Sequence, residues 1–236
     1  LNVGFNIGKT ISAFAGKKFF PINHLEGHVL SPGIENKIFF PYLVLLISGG
    51  HSQFLIAKGL NNYKQIGTTI DDAVGEAFDK TSKILNLGYP GGPNVEKFAK
   101  KGNKDSFNLP LPIINKGGCN LSLAGLKTDV LRKSKSIKSN QERYDLAASF
   151  QETINKILVK KTEIAMKQFD QEISSKTLKS FVVVGGVAAN QSIRNSLKKI
   201  SKKMNYRCIF PSKEFCGDNA AMIAWAGIQR FKKKII

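Results

Sequence analysis

The sequence has little cysteine, with three residues in 236, and none of their spacings is the CxxC pattern of zinc ribbons and redox motifs. The odd count of Cys119, Cys208 and Cys216 argues against a disulfide framework. Long apolar runs are missing too: the longest, Tyr42 to Ile47, is far shorter than the roughly 20 residues that span a bilayer. No charged-then-apolar leader opens the sequence. These absences predict a cytoplasmic protein without membrane spans.

Arginine is also scarce, since five arginines leave 31 of the 36 basic residues as lysine. The formal charge of +19 favours a polyanionic partner, because basic side chains neutralise phosphates. The lysine excess weakens that inference, since nucleotide bias in a genome can produce it alone. The local clusters, at residues 198–199, 202–203 and 232–234, are more typical of solvated helix faces than of binding patches.

Two of the three histidines lie four residues apart in the segment HLEGH, residues 24–28. Positions i and i+4 share one face of a helix, and imidazole is the commonest metal ligand, so the pair predicts a metal site. The alternatives are a helix-end contact or chance. In zinc proteases a Glu directly follows the first His and acts as general base. Glu26 lies two positions after His24, about 200° around a helix, and is expected to point away from a metal.

Carboxylates supply further candidates. A predicted helix places Asp72, Glu76 and Asp79 on one face, an arrangement tolerated where it meets water, a metal or ligand hydroxyls. Neutralisation of a solvated face by neighbouring lysines is the alternative. Asp218, at the start of the last predicted helix, is either an N-terminal cap or the third ligand of a two-histidine, one-carboxylate metal site.

Apolar runs that end in glycine pairs predict the fold. Strands are expected at residues 43–47, 53–57 and 179–184, with further strands at 19–22 and 207–211. Helices are expected at residues 24–30, 71–85, 94–100, 125–169 with a loop at 133–140, 190–203 and 218–232. Strands that feed glycine-rich turns at helix starts favour an α/β fold with ligands at the strand ends.

The glycine turns are candidate ligand contacts. Gly49 and Gly50 follow the first apolar strand, and glycine lets backbone N–H groups approach a phosphate closely through positive φ. A plain hairpin turn is the alternative. Asn190, after the second glycine pair, could bind a base or ribose through its amide, or could cap the following helix.

Six segments in order resemble one family: HLEGH from residue 24, LLISGGHSQF from 45, IDDAVGEAFDKTSKILNLGYPGGP from 70, LAGLKTD from 123, VVVGGVAANQSIR from 182 and FCGDNAAMIAWAG from 215. They resemble the TsaD family, the transferase subunit of the tRNA threonylcarbamoyladenosine synthase, formerly described as O-sialoglycoprotein endopeptidases. The resemblance covers nearly the whole chain and implies an actin-like ATPase fold of two ribonuclease-H-like lobes.

The resemblance also predicts how the chain is divided. Residues 1–42, with the helix of residues 218–236 returning to them, are expected to belong to the N-terminal lobe, and residues 43–217 to form the C-terminal lobe. The family's opening strand and its phosphate-contacting turn have no counterpart, and the sequence starts with Leu1. The first lobe is therefore expected to be incomplete, as in a chain truncated at its N-terminus.

The activity that the resemblance implies is transfer of a threonylcarbamoyl group from threonylcarbamoyl-AMP to the exocyclic amine of the adenosine beside the anticodon, in tRNAs that read ANN codons. His24, His28 and Asp218 match the ligands of one divalent metal ion, with iron favoured and zinc possible. The implied substrate-binding residues are Leu46, Ile47, Ser48, Gly49, Gly50, Asp79, Gly92 and Asn190. The implied partners are a noncatalytic paralogous subunit and a P-loop ATPase. No general base is assignable, and His51 is a weak candidate.

Two other functions remain open. A metalloendopeptidase would need a base at a position other than that of Glu26. An actin-like nucleotide-binding scaffold or kinase without transfer activity would need the phosphate-contacting turn that this sequence lacks.

Overall fold

A five-stranded mixed sheet forms the centre of the structure, a computed structural model that describes residues 2–173 and 179–235. The spatial order of the strands is β3-β2-β1-β4-β5, with β1, β2 and β3 antiparallel and β4 and β5 parallel to β1. Their bounds are β1 Tyr42–Ile47, β2 Ser52–Gly59, β3 Asn62–Thr68, β4 Ser180–Val184 and β5 Arg207–Ile209.

Helices cover both faces of this sheet. Their bounds are α1 Asn2–Phe14, α2 His24–Leu30, α3 Val74–Ile84, α4 Gly91–Ala99, α5 Ala124–Ser134, α6 Asn140–Glu172, α7 Gln191–Lys203, α8 Lys213–Cys216 and α9 Ala220–Lys232, with 3-10 turns at Ser31–Ile34 and Gly186–Ala189. Within the described residues, no helix is both long and apolar enough to cross a membrane.

Strand β1 shows why the sheet needs helices on both sides. Side chains alternate across a strand, so Leu43, Leu45 and Ile47 join the larger core, which includes apolar side chains of α3, α5, α6 and α7. The alternate residues, Val44 and Leu46 among them, face a smaller core that includes Val29 of α2. A strand that is buried on both faces reads as a continuous apolar run, which is why the sequence predicts it well.

A glycine lets the carboxyl ends of the neighbouring strands β1 and β4 lie close together. Gly185 has a φ of +94°, and a Cβ atom there would lie 2.3 Å from the carbonyl oxygen of Ile47. This position requires glycine, because any side chain would combine an unfavourable backbone conformation with a steric clash. The turn after each of these two strands is therefore held close to the other.

Several predicted elements differ in the structure. The prediction of a strand at residues 19–22 is wrong, because that segment pairs with none of the five strands of the sheet. Strand β3 was not predicted. The helix expected from residue 71 begins at Val74, and the one expected from residue 94 begins at Gly91. The helix expected from Asp218 begins at Ala220.

The division into two lobes stays a prediction. Helix α9 packs against α2 and the 3-10 turn of residues 31–34, as expected of a helix that returns to the first segment. Leu1, residues 174–178 and Ile236 belong to the predicted division but lie outside the described residues.

Candidate metal centre and substrate cavity

Three side chains that are far apart in the sequence meet at the start of α2. Asn23 caps this helix, because its side-chain oxygen accepts hydrogen bonds from the N–H groups of Leu25 and Glu26. The helix therefore starts at His24 and presents both histidines on one face. The Nε2 atoms of His28 and His24 lie 3.0 Å and 3.3 Å from Oδ1 of Asp218, 190 residues after His28.

The three side chains differ in burial, and Asp218 is the most exposed of them. The exposed fraction is 2% for the His28 side chain, 27% for His24 and 74% for Asp218. Burial lowers the pKa of His28, although the hydrogen bond with Asp218 opposes this effect. Neutral imidazole is the form that binds a metal, so burial favours the competent state.

The geometry fits one divalent metal ion. Ligand atoms about 2.1 Å from a common ion lie roughly 3 Å apart, close to the two distances to Asp218. One candidate ligand atom from each residue lies within 4.8 Å of the others. Two imidazole nitrogens and one carboxylate oxygen are a donor set for iron or zinc with positions left open. Among the described residues Nδ1 of His28, which is buried, has no hydrogen-bond partner.

Asp218 does not cap α9, which was one of the two alternatives for it. The cap is Asn219, whose side-chain oxygen accepts a hydrogen bond from the N–H of Met222. The Asp218 carboxylate is left to face the two histidines.

A separate cavity of about 550 Å³ lies beside the turns that follow β1 and β4. Four of the eight predicted substrate-binding residues line it, and they come from four separate segments: Gly49, Asp79, Gly92 and Asn190. Parallel strands place the turns after their carboxyl ends at one edge of a sheet, which is the usual position for a ligand in an α/β fold.

The other four predicted residues do not line this cavity. Leu46 and Ile47 lie within β1 and are fully buried. Ser48 and Gly50 belong to a tight hairpin turn, in which the N–H of Ser48 donates to the carbonyl of His51 and the N–H of His51 donates to Oγ of Ser48. Neither Gly49 nor Gly50 has positive φ, so the predicted phosphate-binding conformation is absent from this turn.

Asp79 and Asn190 already have partners within the protein. Oδ1 of Asp79 accepts a hydrogen bond of 2.8 Å from the N–H of Gly91. Oδ1 of Asn190 accepts from the N–H of Ile193, and its Nδ2 donates to Oε1 of Gln151. Asn190 is therefore the cap of α7, with one N–H and one lone pair of its amide left for a ligand.

The predicted row of three carboxylates does not form. Asp72 precedes α3 and forms ion pairs with Lys80 and Lys127. Glu76 also forms an ion pair with Lys80. Burial raises the pKa of Asp72, but the hydrogen bonds from Lys127 and Lys80 outweigh it and hold that pKa below its ordinary value. Asp72 and Glu76 thus bind lysines, while Asp79 lines the cavity.

Glu26 points away from the histidines, as its position in the helix predicts. It is 3% exposed, and its carboxylate contacts Tyr63, Asn61 and Arg230. A buried carboxylate with these partners cannot serve as a general base beside a metal at His24 and His28. His51 is exposed in the hairpin turn, and its role as a general base stays a prediction.

Other residues of the cavity escaped the sequence analysis, among them Gly75, Tyr89, Glu96 and Lys213. Gly75 carried the clearest signal, a glycine inside a predicted helix. A Cβ atom there would lie 2.6 Å from the carbonyl oxygen of Ser48, so this glycine lets α3 approach the hairpin turn. Glu96 and Lys213 come from α4 and α8 and carried no pattern that linked them to the turn.

The family model and the similar proteins that match this chain carry the same description. The family model described as TsaD, tRNA N6-adenosine threonylcarbamoyltransferase, matches residues 1–225. The tRNA N6-adenosine threonylcarbamoyltransferase of Pelagibacter ubique (strain HTCC1062) is 56% identical over 234 residues, which are 99% of this chain and 65% of that protein. The protein of the same description in Rickettsia rickettsii (strain Sheila Smith) is 46% identical over 99% of this chain and 68% of its own length. The chain thus spans about two thirds of these relatives.

A solved structure supports the fold. The crystal structure of HypF from T. kodakarensis superposes with a TM-score of 0.68 over 96% of this chain and 39% of that one, at 14% sequence identity. The α/β fold of the actin-like class is thereby confirmed.

Proposed function

Because the chain belongs to the TsaD family of tRNA N6-adenosine threonylcarbamoyltransferases, we propose that it transfers a threonylcarbamoyl group from threonylcarbamoyl-AMP to the exocyclic amine of the adenosine beside the anticodon, in ANN-decoding tRNAs. The observation that carries the proposal is the cavity in which Gly49, Asp79, Gly92 and Asn190 meet. Its further partners would be a noncatalytic paralogous subunit and a P-loop ATPase. The reaction would take place in the cytoplasm.

The cavity would bind and orient the adenylate. The donor is a mixed anhydride of a carbamic acid and a phosphate, so attack by the adenosine amine on the carbamoyl carbon forms a C–N bond and breaks the C–O bond to AMP. AMP leaves with the electron pair, and the amine loses one proton to solvent water. Asp79 would accept hydrogen bonds from ribose hydroxyls through its free oxygen, and Asn190 would use its remaining amide N–H. Holding both reactants in one geometry accelerates such a transfer.

One divalent metal ion, with iron favoured and zinc possible, would be held by His24, His28 and Asp218. When bound, the ion supplies a Lewis acid that stabilises negative charge on substrate oxygens. The support for this site is the spacing of its ligand atoms and the burial of His28. The peptidase alternative is not favoured, because Glu26 is buried among other partners.

The direct test is a transfer assay. The metal-loaded chain and its two proposed partner subunits would be mixed with chemically prepared threonylcarbamoyl-AMP and unmodified tRNA, and the tRNA nucleosides analysed by mass spectrometry. We expect threonylcarbamoyladenosine in the tRNA. No product from metal-loaded protein, under conditions in which the Pelagibacter relative gives product, would overturn the proposal.

Asp79→Asn separates ligand binding from folding. The amide oxygen can still accept from the N–H of Gly91, so the fold is kept, whereas the second oxygen, the proposed acceptor for ribose hydroxyls, is replaced by an NH2 group that can only donate. Hydrogen bonds to charged groups contribute about 1.5–3 kcal/mol, so kcat/KM should fall about 10- to 100-fold. Asp105→Asn, at an exposed position away from the cavity, is the matched control. Equal activity in the two variants would contradict the assignment of Asp79.

A further inference from the structure

Glu26 and Gly27, in the middle of the HLEGH segment, both lie against α9, and Glu26 also contacts β3. Oε1 of Glu26 accepts hydrogen bonds from Tyr63 Oη at 2.7 Å and from the N–H of Asn61 at 3.2 Å. Oε2 lies 2.7 Å from Nη2 of Arg230. The carboxylate thus joins α2 to the β2–β3 turn, to β3 and to the last turns of α9.

In the pair between Glu26 and Arg230 the carboxylate is buried and the guanidinium is half-buried, with side-chain exposures of 2% and 17%. Nη2 of Arg230 also donates to Oδ1 of Asn61 at 3.0 Å, so one guanidinium nitrogen serves both partners. Among the described residues Nε of Arg230, which is buried, has no hydrogen-bond partner. Loss of the Arg230 charge would leave the buried Glu26 carboxylate without its counter-ion, a costly state. The two helices are therefore held in one relative position at this point.

Gly27 fixes a second point between the same helices. A Cβ atom at this position would lie 2.9 Å from Cδ1 of Ile223 and 3.3 Å from Cγ of Met222, both in the first turn of α9. The absence of a side chain lets α2 and α9 approach closely. Met222 and Arg230 are eight residues apart, about 12 Å along a helix, so the two contacts together define how α9 lies on α2.

Asp218 comes two residues before α9, and its position relative to His24 and His28 follows from the placement of that helix. We propose that Glu26 and Gly27 are positioning residues, which act with Arg230 to hold α9 against α2 so that Asp218 meets Nε2 of both histidines. All five residues of HLEGH then have a place, since Leu25 packs against the smaller core. This inference rests on the metal site of the proposed function.

The test compares metal affinity in variants of the whole chain. Glu26→Gln keeps the size of the side chain and an acceptor for Tyr63, but removes the ion pair with Arg230. Outer partners of metal sites typically change affinity 10- to 100-fold, so we expect about tenfold weaker Zn²⁺ binding in competition titrations. Arg230→Met should behave similarly, and Arg230→Lys, which keeps the charge, should restore part of the loss.

Two controls separate positioning from stability. Glu163→Gln removes an ion pair with Lys167 on the surface of α6 and should leave metal affinity unchanged. Val130→Ala creates a cavity in the core on the other face of the sheet, and should lower stability without changing affinity at a temperature where the chain is folded. Gly27→Ala tests the second contact independently, should Glu26→Gln fail to fold.

The outcomes are distinct. Weaker binding in Glu26→Gln and Arg230→Met, with wild-type affinity in both controls, supports the inference. Wild-type affinity in Glu26→Gln and Gly27→Ala overturns it while leaving the proposed function intact. A wild-type chain that binds no metal overturns the metal site and this inference together, whereas failure of the transfer assay with normal metal binding bears on the proposed function alone.

Discussion

At the scale of single residues, the two histidines should have separable effects. The side chain of His28 is 2% exposed and that of His24 is 27% exposed, so only His28→Ala should leave a cavity as well as remove a proposed ligand. In metal-free protein, we expect His28→Ala to lower the free energy of unfolding by about 2 kcal/mol more than His24→Ala does. Urea unfolding measures this difference. Equal losses of stability would contradict the burial of His28.

The two histidine variants should differ in stability but not in metal affinity. Both alanine variants lose a proposed ligand, so each should weaken Zn²⁺ binding by at least about 100-fold, the upper end of the effect of outer partners. A titration in which either variant binds as tightly as the wild type would exclude that histidine as a ligand.

Residue types and spacing predicted the candidate ligands, but could not predict which polar atoms are already in use. The pairing of Asp72 with Lys127 joins residues 55 positions apart, and only the folded chain brings them together. The same holds for Glu26 and Arg230. Asn190 shows the opposite case, since its capping role follows from local sequence and was one of the two stated alternatives.

At the scale of secondary-structure elements, the contact between the ends of β1 and β4 can be tested by Gly185→Ala. The added Cβ atom would meet the Ile47 carbonyl at 2.3 Å, and alanine at a φ of +94° is itself strained by about 1–3 kcal/mol. We expect a loss of at least about 2 kcal/mol in urea unfolding. Gly186→Ala is the matched control, because a Cβ there would meet no atom within 4 Å. Similar losses in both variants would argue against the close contact.

The end of α6 is tied to the sheet by an ion-pair cluster that should depend on pH. Glu172 accepts from Lys58 and Lys64, and these hydrogen bonds hold the pKa of the Glu172 carboxyl below its ordinary value of 4.5. A carboxyl whose pKa is lowered in the folded state stabilises that state above its unfolded pKa, and this contribution disappears as pH falls through the folded pKa.

Glu172→Gln should therefore be less stable than the wild type at pH 7, by up to about 1 kcal/mol, since the cluster is partly exposed. The difference should shrink as the pH falls below about 4.5. Urea titrations of both proteins between pH 7 and 3.5 would measure it. A difference that grows in acid would have the wrong sign.

The strands that sequence reasoning predicted are those buried on both faces, because a continuous apolar run is a strong signal. Strand β3 lies at the edge of the sheet and is mostly exposed, so polar residues fill Asn62–Thr68 and no run marks it. The predicted start of α3, at Asp71, is three residues early. The Asp71 carboxylate accepts from the N–H of Leu123 and so holds the start of α5.

At the scale of the whole molecule, the formal charge of +19 should govern the proposed binding of tRNA. Basic side chains that neutralise phosphates release counter-ions, so affinity falls as salt rises. We expect the dissociation constant for tRNA to increase at least about tenfold between 50 and 200 mM KCl. Fluorescence anisotropy with labelled tRNA measures this, and a constant affinity would show that the charge has no part in binding.

The α/β class followed from strands that feed glycine turns, but the strand order did not. The sheet places β4 beside β1 although 132 residues lie between Ile47 and Ser180. That pairing depends on burial of both strands, which is a property of the whole chain. The candidate metal site is long-range in the same sense, since Asp218 lies 190 residues after His28 in the sequence and contacts it in the structure.

The central claim is that HLEGH and Asp218 together hold one divalent metal ion. X-ray absorption spectroscopy of the chain loaded with Fe²⁺ or Zn²⁺ tests this most directly. The structure predicts one ion per chain, with two imidazole nitrogens and at least one oxygen at about 2.1 Å and no sulfur ligand. A sulfur at about 2.3 Å, which would place a cysteine such as Cys216 at the ion, or a spectrum unchanged in Asp218→Ala, would contradict the claim.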